Sequence, residues 1–394
     1  MGESVSIRQL CARIDYGLST SGTKDGPARF LRITDIQNSY VDWRTVPFCD
    51  ASASEVQKYS LATGDVVVAR TGASTGRSLW VTVDEPSVFA SYLVRFRVGP
   101  RIASRYLGYV LNSEPWFRHV ASHAYGKSAQ PNMSAAAMAE FVILLPPLRE
   151  QDAIAEVLGA LDDKIAANER VNRCAGEVAD AEFDRFRQVA KTIQRTFAEV
   201  AEVGGGGTPR TSVAEYWGES IPWATPTDVT GLAAPYLHQT SRSITDEGLA
   251  ACSSSLYPIG SILMTSRATI GAFAIAQVPV AVNQGFIVVN AKDPELQWWI
   301  YHDMRSRVDE FLAHSNGATF LELPRGKFKQ LPVQAPGLDA ALRFSEVVGP
   351  LHGVATARLV ENARLAATRD ELLPLLMSGR LRVKDAEKVV AEVV

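Results

Sequence analysis

Two short segments hold the side chains best suited to binding chemistry. Arg70 to Ser78 reads RTGASTGRS, and Ser266 to Gly271 reads SRATIG. Each follows an apolar run and sets an arginine among small hydroxyl residues. That combination suits phosphate oxygens or the donor and acceptor edges of bases. Arg70 and Arg267 fall in corresponding places. Lys127, Gln130 and Asn132, within GKSAQPN, have similar polar character, as do Asn316, Arg325, Lys327 and Lys329. The plainer alternatives are an arginine that closes a turn on carbonyls and a polar residue that is simply solvated.

Catalytic patterns are missing from the sequence. Gly72 to Gly76 is one residue short of the phosphate-cradling GxxxxGK loop, and Arg77 stands where its lysine belongs. Gly204 to Arg210 (GGGGTPR) lacks the Lys-Ser/Thr ending and reads as a flexible loop entering the second half of the chain. His119 and His123 have helical i,i+4 spacing but no HExxH glutamate, so they read as structural or surface residues. No Ser/His/Asp arrangement is recognisable. No DPPY, NPPF or NPPY tetrapeptide, which would hold the target base of an amino-methyltransferase, occurs.

The elements that must position these residues are short strands: Asp65 to Ala69, Leu79 to Val83 and Tyr92 to Val98, then Ile262 to Met264, Ala272 to Ala276 and Gly285 to Asn290. Helices are expected over Ser104 to Leu111, Pro115 to Ala121 and Pro294 to Leu312. From Arg149 to about Phe186, apolar residues recur at helical spacing with no proline, predicting a helix of about 57 Å at 1.5 Å per residue. A second, from Asp339 to about Met377, contains Pro350 and Pro374, where kinks are expected.

These parts occur twice. Pro146, Leu148, Glu156, Val157, Gly159, Leu161, Ala167 and Asn172 recur 190 residues later as Pro336, Leu338, Glu346, Val347, Gly349, Leu351, Ala357 and Asn362. RITDI (32–36) resembles ATPTDV (224–229), with Asp35 opposite Asp228, and Gly126 parallels Gly317. The period far exceeds the roughly 20 to 50 residues of solenoid units, so a whole domain is duplicated about a pseudo-twofold axis. The expected fold is α+β: two globular domains separated by a pair of long antiparallel helices, at opposite ends of a rod that fixes their distance.

Residues 1–147 carry 15 basic against 12 acidic residues, whereas 148–190 carry 6 against 10. An overall charge of −3 argues against coating nucleic acid by bulk electrostatics, and the acidic helical stretch suits a protein partner better than phosphate. Four scattered cysteines indicate neither zinc nor disulfides. The absence of a signal-like start and of an apolar span makes the cytoplasm the expected compartment.

With these residues in view, the chain resembles the specificity subunits of type I restriction-modification systems, the HsdS family. The likeness is carried by GGTPRTSVAEYWGESIPWATPTDV (206–229), ILMTSRATIGAFAIA (262–276), AVNQGFIVV (281–289), LPPLREQDAIAEVLGALDDKI (145–165), LLPLLMSGRLRV (372–383) and RFLRITDI (29–36). It implies target-recognition domains over 1–147 and 191–337, each reading half of an asymmetric bipartite DNA site, and helical regions over 148–190 and 338–394. Two modification subunits would dock on the helices, and two restriction subunits complete the assembly. The chain would be non-catalytic, with S-adenosylmethionine, ATP and Mg in its partners.

The DNA-contacting candidates are then Arg70, Thr71, Ser74, Arg77, Lys127, Gln130 and Asn132 in the first half. In the second they are Thr208, Arg210, Thr227, Arg267, Thr269, Asn283, Gln284, Asn316, Lys327 and Lys329. Glu150, Gln151, Leu158, Leu161 and Leu351 are the candidates for partner contact. The second helical copy, PGLDAALRFSE, lacks the Glu150-Gln151 pair of PPLREQDAIAE, so its partner contact is expected to be weaker or differently made. A self-sufficient methyltransferase or nuclease and a duplicated scaffold unrelated to DNA are the competing readings.

Overall fold

A computed structural model describes residues 3–36, 40–124, 131–317 and 321–394. The chain forms two compact units, one from Met1–Glu169 with Val360–Val394 and the other from Arg170–Leu359. Each takes part of both long helices.

In the first unit the strands are β1 (Glu3–Ser6), β2 (Cys11–Tyr16), β3 (Ala28–Leu31), β4 (Phe48–Cys49), β5 (Val66–Ala69), β6 (Ser78–Trp80), β7 (Ser87–Phe89), β8 (Leu93–Val98) and β9 (Val142–Leu145). They form an antiparallel sheet ordered β2-β8-β5-β6, a smaller sheet β4-β3-β7 in which β3 and β7 are parallel, and the pair β1-β9. β5 reads VVVA and is buried throughout. Side chains alternate across a strand. Val66 and Val68 therefore join a core with Tyr106, Leu107 and Trp116, while Val67 and Ala69 join another with Leu31 and Val81.

The second unit repeats this plan. Its strands are β10 (Thr192–Thr196), β11 (Ala201–Gly204), β12 (Trp217–Ala224), β13 (Tyr236–Leu237), β14 (Ser243–Ile244), β15 (Ile262–Thr265), β16 (Phe273–Ala276), β17 (Ala281–Val282), β18 (Phe286–Ala291) and β19 (Pro332–Pro336). Sheet β11-β18-β15-β16-β13 matches β2-β8-β5-β6 with one strand added, β14-β12-β17 matches β4-β3-β7, and β10-β19 matches β1-β9. Ile262 and Met264 enter one core and Leu263 another, as in β5.

The matched motifs have local causes. Asp35 accepts the Arg32 backbone N–H at 2.8 Å, and Asp228 accepts that of Thr225 at 2.7 Å. The shared aspartate thus caps a helical turn. Ser6 with Gln9 and Thr196 with Glu199 form capping boxes at the entrance to each unit.

The first long helix runs Leu148–Val189 and the second Leu338–Met377, with Pro350 and Pro374 inside it. Within the first unit the start of one and the end of the other run antiparallel: Asp162 pairs with Arg369 at 2.7 Å, and Asn168 donates to Asn362 at 2.8 Å. Within the second unit, Phe183 and Phe186 meet Phe344 edge-on. The helix expected over Pro294 to Leu312 is divided into Gln297–Ser306 and Val308–Ala313. Arg307 leaves helical geometry at the break and pairs with Asp303 and Glu310.

Candidate nucleic-acid interface

In the second unit the segments after β11, β12, β15 and β17 converge. Thr227, Arg267, Thr269, Asn283 and Gln284 line one cleft, together with Pro226, Thr230, Ala268 and Gly285. Thr208 joins them, donating its hydroxyl to Gln284 Oε1 at 2.7 Å, and Asn283 Oδ1 accepts the Gly285 N–H at 2.8 Å. Thr208, Arg210, Thr227, Arg267, Thr269 and Gln284 are exposed. Amide donors, hydroxyls and a guanidinium at one cleft mouth can engage phosphates and base edges together.

The glycine run that delivers Thr208 and Arg210 is clamped, which corrects its reading as a flexible loop. The Tyr257 hydroxyl donates to Gly205 O at 2.6 Å and accepts from Gly205 N at 2.8 Å. A Cβ on Gly206 would lie 1.7 Å from Val282 O, and one on Gly204 2.2 Å from the Tyr257 hydroxyl oxygen. Glycine is there for close backbone approach. Trp223 and Trp217 then donate their indole N–H groups to Gly207 O at 3.1 Å and Arg210 O at 3.3 Å. Arg242 stacks 3.5 Å above the Trp217 ring. Neither the tryptophans nor Arg242 is evident as a site residue from the sequence.

Arg267 sits in a strained turn. Ala268 has φ 59°, the only non-glycine residue with positive φ among the described residues. This conformation costs about 1–2 kcal/mol in an L-residue. The Ala268 N–H donates to Leu321 O at 3.0 Å, and Arg267 pairs with Glu322 at 2.8 Å. Glu322, 190 residues after Asn132, lies in no motif that marks it in the sequence. Asn316 pairs with Glu322 through two backbone hydrogen bonds of 2.8 Å. Lys327 and Lys329 lie on the helix Arg325–Gln330, outside the cleft lining.

The first unit arranges its candidates differently. Arg70 donates to Asn132 Oδ1 at 3.2 Å and stacks 4.8 Å from the Tyr16 ring, so part of its guanidinium serves the fold. The backbone corrects the pairing of Arg70 with Arg267. Met133 N bonds Arg70 O where Leu323 N bonds Ser266 O, and Thr71 bridges Asn132 where Arg267 bridges Glu322. Arg267 is thus the counterpart of Thr71. Ser74 and Arg77 face a separate cleft with Trp80, Arg105, Tyr109 and Asp162. Lys127 and Gln130, and with them Gly126, lie outside the described residues. His119 is spent internally: its Nε2 lies 2.9 Å from Ala137 O, with the His123 ring 4.3 Å away.

Most of the partner-contact candidates are interior. Gln151 is fully buried; its amide donates to Pro146 O at 2.8 Å and Arg101 O at 3.2 Å and accepts from Ala103 N at 2.9 Å. Leu158 and Leu161 lie in the first core, and Leu351 packs half-buried in the second unit's aromatic cluster. Apolar periodicity marked a packing face rather than an outward one. Glu150 alone of the five is exposed; Asp152 and Glu156, further along the same helix, are exposed too. Where Gln151 would recur, Ala341 is buried. The second unit ties its strand-to-helix segment through Gln297, which accepts from Ala291 N at 2.6 Å and donates to Gly260 O at 2.7 Å.

This duplicated frame with unlike loops has known relatives. The family described as type I restriction modification DNA specificity domain matches twice, over residues 23–173 and 193–341. The chain belongs to that family, whose role is recognition of DNA sequence and not catalysis. It is 36% identical over 152 residues to the MjaIX specificity subunit of Methanocaldococcus jannaschii, a match spanning 38% of this chain and 35% of that protein. Against the HindI specificity subunit of Haemophilus influenzae it is 20% identical over 82% of this chain and 88% of the other. The crystal structure of the S subunit from M. genitalium has the same fold, with a TM-score of 0.56 at 14% identity over 95% of both chains.

Proposed function

We propose that this chain gives a type I restriction-modification complex its DNA specificity, with one half of an asymmetric bipartite site read by each globular part. Residues 1–147 and 191–337 are the readers; 148–190 and 338–394 hold them apart and dock two modification subunits, with two restriction subunits completing the complex. The acidic outward residues Glu150, Asp152 and Glu156 suit a protein partner rather than phosphate. S-adenosylmethionine, ATP and Mg belong to those partners.

One observation carries this reading. The two units share their strand order, caps and turn glycines, yet differ in the side chains at matched loop positions, Thr71 against Arg267 and Asn132 against Glu322. A common frame with unlike polar loops is what two unlike half-sites require. Footprinting of the chain assembled with its native modification subunits tests it. Two protected patches with an unprotected gap are expected, and one continuous patch or none would refute the reading.

A further inference from the structure

We infer that Arg267 and Glu322 together read a G·C pair in one half-site, with Glu322 as the residue that discriminates. This rests on the second unit being a DNA reader. The two side chains are 2.8 Å apart and nearly half exposed, at 44% and 45%. Their backbones are bridged to each other, and Glu322 is fixed a second time by Asn316. The donor and acceptor are therefore presented side by side on a held loop.

A carboxylate in this place decides what Arg267 can bind. A phosphate approaching the guanidinium would meet the Glu322 charge at close range, where like charges repel. The major-groove edge of a G·C pair instead offers two adjacent acceptors, guanine N7 and O6, followed by the cytosine N4 amino donor. Arg267 gives Nη2 to Glu322 and keeps further N–H groups for the two acceptors, while Glu322 has lone pairs for the amino group. An A·T pair puts the thymine O4 acceptor where the cytosine amino donor is needed, so two acceptors would face each other at Glu322, and its N6 donor would face an Arg267 N–H. Asn132, at the corresponding place in the first unit, is an uncharged amide that accepts from Arg70, so no carboxylate is presented there to a cytosine amino group.

The test is methylation mapping in cells expressing the full chain, Glu322→Ala or Glu322→Gln with the native modification subunits. The native motif should contain a G·C pair at which Glu322→Ala lowers discrimination on the order of tenfold to a hundredfold. The other half-site should not change. Glu322→Gln, which keeps the side-chain volume, should admit A·T at that position, since glutamine pairs with adenine N6 and N7. An unchanged motif, relaxation at an A·T position, or relaxation in both half-sites would overturn the inference while leaving a two-patch footprint, and so the broader reading, intact. Failure of Glu322→Gln to fold, read by thermal unfolding, would also overturn it by making Glu322 structural. A native assembly without sequence-selective methylation would overturn both.

Discussion

The two units seat their globular parts on the long helices by different chemistry at matched positions. In the first, Arg105 lies flat over Gly159, where a Cβ would come within 2.5 Å of its guanidinium carbon. It pairs with Asp163 at 2.6 Å and stacks 4.9 Å from the Trp80 ring, while the Tyr109 hydroxyl donates to Asp162 at 2.6 Å. In the second, Trp298 lies over Gly349 and stacks face to face on His352, ring centroids 3.8 Å apart. Trp299, Phe183 and Phe344 fill the space beside it. One seat is built on ion pairs and the other on rings, so the duplicated glycine preserves an approach rather than a partner.

The second seat also contains a hydrogen-bonded chain whose direction is fixed. Asp180 lies 2.8 Å from His302 Nδ1, His302 Nε2 lies 3.0 Å from His352 Nε2, and His352 Nδ1 lies 2.7 Å from the Tyr236 hydroxyl. The carboxylate requires a proton on His302 Nδ1. His302 Nε2 then accepts from His352 Nε2–H, and Tyr236 donates to His352 Nδ1.

The largest expected contrast is mechanical. Trp299→Ala should destabilise the second unit by about 3–5 kcal/mol through the cavity it leaves. Arg105→Ala should cost the first about 1 kcal/mol, because Asp163 is well exposed, and that loss should shrink at 1 M salt. Hydrogen exchange resolved along the full chain measures both. Equal and salt-independent losses would erase the distinction between the seats.

Acid should act next, and on the second unit. Burial pushes the His352 imidazole down to about 3 and lowers that of His302, with Arg305 nearby adding to the effect. Between pH 6.5 and 3 the unfolded chain takes up protons that the folded seat refuses, so stability falls as pH falls, by up to about 1.4 kcal/mol per pH unit for each such proton. Asp180 acts in the same direction. Burial raises its carboxyl, but His302 and Arg305 outweigh that and hold it below the ordinary value, so its contribution is lost on acidification below about 3.8. His352→Gln should reduce the slope in the second unit's unfolding between pH 7 and 4, leaving the His302 part. An undiminished slope would assign the titration elsewhere.

The smallest contrast is one of sign. Gly349→Ala meets only the Trp298 indole nitrogen at 3.7 Å, ordinary contact, and should stabilise the helix by about 0.5–1 kcal/mol. Gly159→Ala must displace Arg105 and should give a net loss of similar size. Thermal unfolding of the two variants decides it; matching signs would mean that the two glycines do the same work.

The parts of the fold readable from sequence were those with local causes. Strands such as VVVA and ILMT, the long helices and the 190-residue repeat all rest on apolar periodicity within short windows. The pair β1-β9 was not readable, because its partners lie more than a hundred residues apart and neither strand has strong alternation. At the site, the residue types of Thr208, Thr227, Arg267, Thr269, Asn283 and Gln284 point to DNA contact one by one, but their common cleft depends on the fold. Leu158 is interior, since helical spacing identifies a face, not what covers it, and Gln151, a candidate through the family resemblance, is fully buried as well. Glu322 sits in no motif, and its pairing with Arg267 joins residues 55 positions apart, so nothing local marks it.

The chain leaves the first unit at Glu169, builds the whole of the second, and returns at Val360 to finish the first. The last helix, Val383–Ala391, buries Ala386 and Val390 in a core that begins at Val5. During synthesis the unit of Arg170–Leu359 therefore becomes complete first, and the other waits for residues 360–394 with its core open. A premature stop codon between residues 360 and 394 would leave the second unit's chain whole and injure the first.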